Sequence, residues 1–360
     1  MKHACLAAAL CGFTVTAPAA AQVVDDDPEI REYVLENESG TRLRFLNYGA
    51  VITAIEVPDR AGHRANVVLG YGRESDYRNL NHKNLFGAMV GRYAGRIAGA
   101  RFVLDGEEIR LQANDGPNAL HGGTPGIDRR IWDVETFRDE RGTGATLRLT
   151  SPDGDQGFPG ELTLEVTYIL QQGDVVRLEY AARTTRPTVL NLTNHSYFNL
   201  GGSGSGSVDN QRLNINSSLW VEASDAGIPT GTFAAVAGTP FDFREPRPIG
   251  RRIPRRGYNH SWLLAVHDGS SPAVRLEDPE SGRTLEIATP EPSVHAYTGD
   301  YIDGRDVDAQ GNPILPRSGI AFETQHLADS PNKPHFPSTR LDPGEAYRAV
   351  TVWDFGVAAR

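Results

Sequence analysis

Apolar residues along this chain recur at every second position rather than every third or fourth. In "ELTLEVTYIL", Leu162, Leu164, Val166, Tyr168 and Leu170 fall on one face, with Thr163, Glu165 and Thr167 opposite. "DVVRLEY" continues the alternation with Val176, Leu178 and Tyr180, and "ATLRLT" and "TRLRFL" repeat it on a smaller scale. That period belongs to half-buried β-strands. "RFVLDGEEIRL" reads as a hairpin: Phe102 and Leu104 lead into a turn at Asp105-Gly106, and Ile109 and Leu111 lead out. The 38 glycines and 23 prolines punctuate the whole length, and no window carries the period of an amphipathic helix. The prediction is an all-β fold. For about 340 residues, large antiparallel sheets stacked face to face suit such strands better than one small barrel. The glycine-serine stretch 201–207 is short enough to be a loop between strands, so residues 22–360 are read as a single domain.

The first 21 residues stand apart. A short basic start, the apolar run "ACLAAALCGFTV" and the small residues Ala19-Ala20-Ala21 make a secretory signal peptide, with cleavage predicted after Ala21. The expectation is an exported protein, periplasmic or secreted, with no membrane association after cleavage. Both cysteines, Cys5 and Cys11, lie inside this segment, which excludes disulfides and thiolate chemistry from the mature chain. Loss of Lys2 takes the formal net charge from −10 to −11, an acidic balance that argues against a nucleic-acid partner.

Nucleotide-binding, zinc-protease and serine-hydrolase motifs are absent. What remains is a set of polar residues where strands end. "GPNALHGG" places His121 before a glycine pair, and "TNHSYFNLGG" places His195 after the run "PTVLNLTN". "IAFETQH" places Glu323 directly after three apolar residues, where partial burial would raise its basicity. "GRYAGRI" offers Arg92 and Arg96, and "RRGYNHSW" offers Asn259 and His260. Taken singly, His195 reads more readily as a hydrogen-bonded histidine in a sheet, and Glu323 more readily still as a carboxylate at a strand end facing water. His121, His195, His260, His295 and His326 lack the close spacing of a zinc site, so no metal and no cofactor is expected. The arginine run Arg244–Arg256 reads either as a solvated, proline-broken loop or as a patch that could hold a phosphate or an acidic sugar.

Six segments together resemble the aldose 1-epimerase (galactose mutarotase) family: "GRYAGRIAGARF", "NALHGG", "TNHSYFNLGG", "IPTG" with "GTPFDFR", "YTGDYIDG" and "FETQHLADSPNKPHFPSTRLDPGEAY". They occur in the family's order and cover about residues 35–357. The resemblance implies a β-supersandwich of stacked antiparallel sheets and an isomerase that interconverts the anomers of free aldohexoses such as galactose and glucose. It implies an aldose as partner, a catalytic pair of His195 as acid and Glu323 as base, and sugar binding by Arg96, His121, Tyr197, Asn259 and His295. Asn259 in "YNH" stands where the family usually carries aspartate, His295 where several members have glutamine, and Gly95 where many have asparagine. These departures bear on sugar preference. Three other readings stay open: a sugar-binding protein without catalysis, an epimerase of phosphorylated hexoses using the arginine run, and a polysaccharide-processing enzyme on a similar scaffold, which would need a long open cleft. The residues set no oligomeric state, monomer or homodimer.

Overall fold

The computed structural model describes residues 29–80 and 83–358; the predicted signal segment lies outside them. A nine-stranded sheet forms the base. Its spatial order is Asp133–Asp139, Gly142–Ser151, Leu162–Leu170, Val175–Thr184, Tyr347–Val357, Arg283–Ala288, Val274–Glu277, Arg212–Ile215 and Arg247–Pro248. A six-stranded sheet runs Tyr197–Phe198, Ile320–Gln325, Ser293–Tyr297, Asn259–Leu263, Leu219–Ala223 and Pro229–Ala235. A four-stranded sheet is formed by Glu32–Glu36, Arg42–Leu46, Ile52–Pro58 and Arg64–Asn66. All these strand pairs are antiparallel.

One apolar cluster joins the three sheets. Leu164, Val166, Leu178, Leu285 and Trp353 come from the large sheet, Trp262, Val294 and Phe322 from the six-stranded one, and Leu43, Phe45 and Ile55 from the smallest. Phe198 meets Trp353 edge-on with centroids 5.0 Å apart, and the hydroxyls of Thr324 and Thr351 bond across the same interface at 2.6 Å. Stacked antiparallel sheets on a shared core agree with the alternating pattern and with the supersandwich that the family resemblance implies.

The predicted face of Leu162–Leu170 is buried throughout, and Phe102 pairs with Ile109 across the predicted hairpin. Its two turn residues, Asp105 (φ 52°) and Gly106 (φ 85°), both take the left-handed conformation that a two-residue hairpin loop demands. The structure differs from the sequence reading in one element: Glu74–Leu80 is an α-helix. Seven residues with a single buried side chain, Tyr77, are too short for a helical period to register in a window of about 11–18 residues.

Candidate active site

Alternation within the six-stranded sheet builds the site. In Ser293–Tyr297 and Ile320–Gln325, Val294, Ala296, Ile320 and Phe322 point into the core. Their neighbours His295, Tyr297, Glu323 and Gln325 must then face the other way. Register aligns them in rungs. Ser261, His295 and Glu323 lie side by side, and Asn259, Tyr297, Ala321 and Tyr197 form the next rung.

His195 joins this face from a different ladder. Thr193–Asn194 pairs with Met89–Val90, whereas Tyr197–Phe198 pairs with Ile320 and Ala321. The chain crosses between the two ladders at His195. Its N–H donates to the Ala88 carbonyl (2.9 Å), and its own carbonyl accepts from the Gly87 N–H (3.1 Å). Asn194 braces the crossing by donating from Nδ2 to the Gly87 carbonyl and accepting from the Ser196 N–H and hydroxyl. Imidazole Nε2 thereby comes within 3.5 Å of Glu323 Oε1, with both side chains about 5% exposed or less.

Arg96 and His121 enter on a third piece, the short ladder of Arg96–Ile97 against Ala119–Leu120. The Gly95 N–H donates to His121 Nδ1 (3.2 Å), which leaves the proton of the neutral ring on Nε2. Gly95 (φ 80°) is required here, since a Cβ would sit 2.9 Å from that of Ala328. Arg96 Nε donates to Asp115 Oδ2 at 2.7 Å.

All seven residues proposed from the sequence, namely Arg96, His121, His195, Tyr197, Asn259, His295 and Glu323, line one cavity of about 260 Å³. Others named as candidates lie elsewhere. His260 alternates with Asn259 along one strand and so takes the opposite face, where its ring packs 4.6 Å from that of Phe241. His326 Nδ1 pairs with Glu291 at 2.7 Å. Arg92 is buried and structural: Nε donates to Ser151 Oγ, and its amino groups donate to the carbonyls of Ser151, Phe158, Pro159 and Gly160. The arginines of 244–256 do not line the cavity. Arg244 pairs with Asp242, Arg247 stacks on Phe243, and Arg252 donates to the Gly238 carbonyl. Sequence reasoning missed Asp128, Tyr297 and Tyr301 in the lining. The exposed position of Tyr301 and the turn containing Asp128 carry no periodic signal.

Burial sets the charges. It pushes the His195 imidazole down to about 4 and the Glu323 carboxyl up to about 8, the latter against the opposing pull of the Arg96 guanidinium. His121 falls well below its usual range for the same reason, and His295 falls to about 3. His295 is a neutral bridge, with Nε2 2.6 Å from Asn259 Oδ1 and Nδ1 2.9 Å from Ser261 Oγ. His195 Nδ1, Glu323 Oε2 and Gln325 Oε1 are buried without a hydrogen-bond partner among the described residues. Buried polar atoms are ordinarily satisfied, so these three are disposed to meet a polar ligand. Ligand atoms of His121, His195 and Glu323 also lie within 4.8 Å of one another, a donor set that could converge on a divalent ion. A tetrahedral zinc with bonds of about 2.0–2.1 Å would require tighter convergence, with donors about 3.4 Å apart.

The family model for aldose 1-epimerase matches residues 31–353. This chain belongs to the aldose 1-epimerase family. Among aldose 1-epimerase relatives, the galactose mutarotase of Bos taurus is 38% identical over 332 residues, covering 91% of this chain and 95% of that protein. The aldose 1-epimerase of Escherichia coli (strain K12) is 34% identical over 343 residues, covering 92% and 96%. The crystal structure of an aldose epimerase homologue from C. elegans superposes with a TM-score of 0.84 at 28% identity, covering 94% of this chain and all of that one. Galactose 1-epimerase from Lactobacillus acidophilus NCFM gives 0.82 at 29% identity, covering 94% and 98%.

Proposed function

We propose that this chain is an aldose 1-epimerase that interconverts the α and β anomers of free aldohexoses, with His195 as acid and Glu323 as base. The observation that carries this reading is the buried His195–Glu323 contact of 3.5 Å inside a cavity lined by polar side chains. Opening a pyranose adds a proton to the ring oxygen and removes one from the C1 hydroxyl. No electron is transferred, and the proton count of sugar plus enzyme is conserved, so the step balances with side chains alone.

The opposed shifts of the pair give that step its direction. As an imidazolium and a carboxylate, His195 and Glu323 are respectively a stronger acid and a stronger base than their exposed counterparts, because burial disfavours both charges. Delivery of the His195 proton to the ring oxygen and capture of the C1 hydroxyl proton by Glu323 leave both groups neutral, the state burial prefers. The open-chain aldehyde turns about its C1–C2 bond, and closure on the other face runs the transfers in reverse. Arg96, the Nε2–H of His121 and the amide of Asn259 supply donors for the sugar hydroxyls. The Tyr197 ring, its centroid 5.0 Å from that of His195, packs against the imidazole.

Polarimetry on freshly dissolved α-D-galactose and α-D-glucose tests the reading. Catalysed approach to the equilibrium rotation is expected, and its absence in folded protein would refute it. The position of the arginine run outside the cavity speaks against a phosphorylated substrate. Presence of both acid and base speaks against a purely binding role. We further propose that residues 1–21 direct export to the periplasm or medium and that residues 22–360 act as one domain. Support comes from the basic–apolar–small pattern of the leader and from the core shared by the sheets. N-terminal sequencing of the native protein should begin near Gln22.

A further inference from the structure

Asn259 and His295 line the cavity, and Ser261 stands behind them in one chain of hydrogen bonds. His295 Nε2 lies 2.6 Å from Asn259 Oδ1, and His295 Nδ1 lies 2.9 Å from Ser261 Oγ. An amide oxygen only accepts, so Nε2 carries the proton. Burial keeps the ring neutral, so Nδ1 has none and accepts from the Ser261 hydroxyl. The reversed arrangement fails on a count of hydrogens. With the Asn259 amide turned over, Nε2 would accept from Nδ2, and Nδ1 would donate to Ser261. The hydroxyl proton of Ser261, a residue only 8% exposed, would then lack an acceptor, since Oγ has no second partner among the described residues.

The direction of this chain sets what Asn259 offers. Its Oδ1 is occupied by His295, and Nδ2, without a hydrogen bond to the described residues, is left as a donor in the cavity wall. An aspartate at the same place would offer acceptors only. Position across the sheet indicates which part of a sugar meets this donor. The strands run in the order Tyr197–Phe198, Ile320–Gln325, Ser293–Tyr297 and Asn259–Leu263, so His195, Glu323, His295 and Asn259 follow one another across the floor of the site. With the ring oxygen at His195 and the C1 hydroxyl at Glu323, the C2–C3 edge of the pyranose comes next, over His295 and toward Asn259.

We infer that Ser261 is a positioning residue: acting through His295, it fixes Asn259 as a hydrogen-bond donor to a hydroxyl oxygen on the C2–C3 edge of the sugar. The inference rests on the proposed anomer interconversion, which orients the ring. Ser261 suits the task because its own place is set without the ligand. It pairs with His295 in the strand register, and its neighbour Trp262 is buried, with Nε1 donating to the Phe241 carbonyl at 2.9 Å. A donor aimed in advance loses little conformational entropy when the sugar arrives. The relay touches neither the ring oxygen nor the C1 hydroxyl, so it bears on binding and not on proton transfer.

The test reads polarimetric kcat and KM for galactose, 2-deoxygalactose and 3-deoxygalactose in the unmodified protein, Ser261→Ala and Ser261→Thr. Ser261→Ala should raise KM for galactose about three- to tenfold, the worth of one neutral hydrogen bond, with kcat held within about twofold. Ser261→Thr keeps the hydroxyl and should bring KM back to within about twofold of the parent. Removing the sugar hydroxyl that meets Asn259 should abolish the effect, so for one of the two deoxy sugars Ser261→Ala should leave KM within about twofold. An equal rise for all three sugars would mark a merely structural role and overturn the inference. So would an unchanged KM for galactose, or folded Ser261→Thr that fails to restore it. Nitrogen NMR of protein labelled at histidine, with the His295 signals identified by their loss in His295→Gln, should place the ring proton on Nε2; a proton on Nδ1 overturns the relay. If no sugar were turned over, the catalytic reading would fail. Calorimetric binding of galactose would then decide the inference separately: weakening in Ser261→Ala with recovery in Ser261→Thr upholds it, and unaltered or absent binding overturns it.

Discussion

Replacing Glu323 with glutamine should inactivate the protein and, at alkaline pH, stabilise it. Glutamine keeps the size and hydrogen-bonding capacity of the side chain but cannot ionise. In the folded chain, burial raises the carboxyl from its ordinary 4.5 to about 8. Between those values the native state holds a proton that the unfolded state has released, so stability is lost as pH rises through the window. At about 1.4 kcal/mol per pH unit, the gap from 4.5 to 8 corresponds to at most about 5 kcal/mol. Sharing of the proton with His195, 3.5 Å away, brings the expected gain of Glu323→Gln to about 2–5 kcal/mol above pH 8. For a chain of this length that is a rise in Tm on the order of 5 °C. Below about pH 4.5, where the carboxyl is protonated in both states, the variant and the parent should melt together. Thermal melts followed by circular dichroism at both extremes measure the difference, and polarimetry on the same samples should show turnover lower by about 10²-fold or more. Equal or lower stability of the variant above pH 8 would show that the carboxyl is not held neutral by burial. Near-normal turnover would show that it is not the base.

The pH profile of kcat/KM should be bell-shaped. Activity should fall as pH drops through about 4, where the His195–Glu323 pair takes a second proton and has no base left, and again as pH rises through about 8, where it loses its last proton and has no acid; a rate still rising above pH 9 contradicts this. His195→Asn should cost about 10²-fold in turnover, and the double variant with Glu323→Gln should be little worse than the poorer single one, because ring opening stops when either transfer fails. Arg92→Met should lower stability by about 3 kcal/mol or more, since the carbonyls of Ser151, Phe158, Pro159 and Gly160 lose a buried donor. A melting temperature within a degree of the parent would count against that clamp.

Local regularities were legible in the order of residues because they depend on near neighbours. The period of two determined which face of Leu162–Leu170 and Val175–Thr184 is buried, and Asp105-Gly106 determined a two-residue turn, since few other pairs accept two positive φ angles. Segments such as "TNHSYFNL" and "FETQH" marked His195 and Glu323, the proposed acid and base, through their resemblance to a family. Alternation alone could not have chosen them from other polar strand ends. What the tertiary structure decided was convergence. His195 and Glu323 reach 3.5 Å only because one ladder hands the chain to another at His195 and register sets Glu323 beside His295. Facing was decided there too: a single step along one strand puts Asn259 in the cavity and His260 against Phe241, and Arg92 and Arg96, four residues apart, divide between a buried clamp and the site. The proton affinities of the pair came last. Desolvation is a property of everything packed around a group, and those neighbours are drawn from strands far apart in the chain.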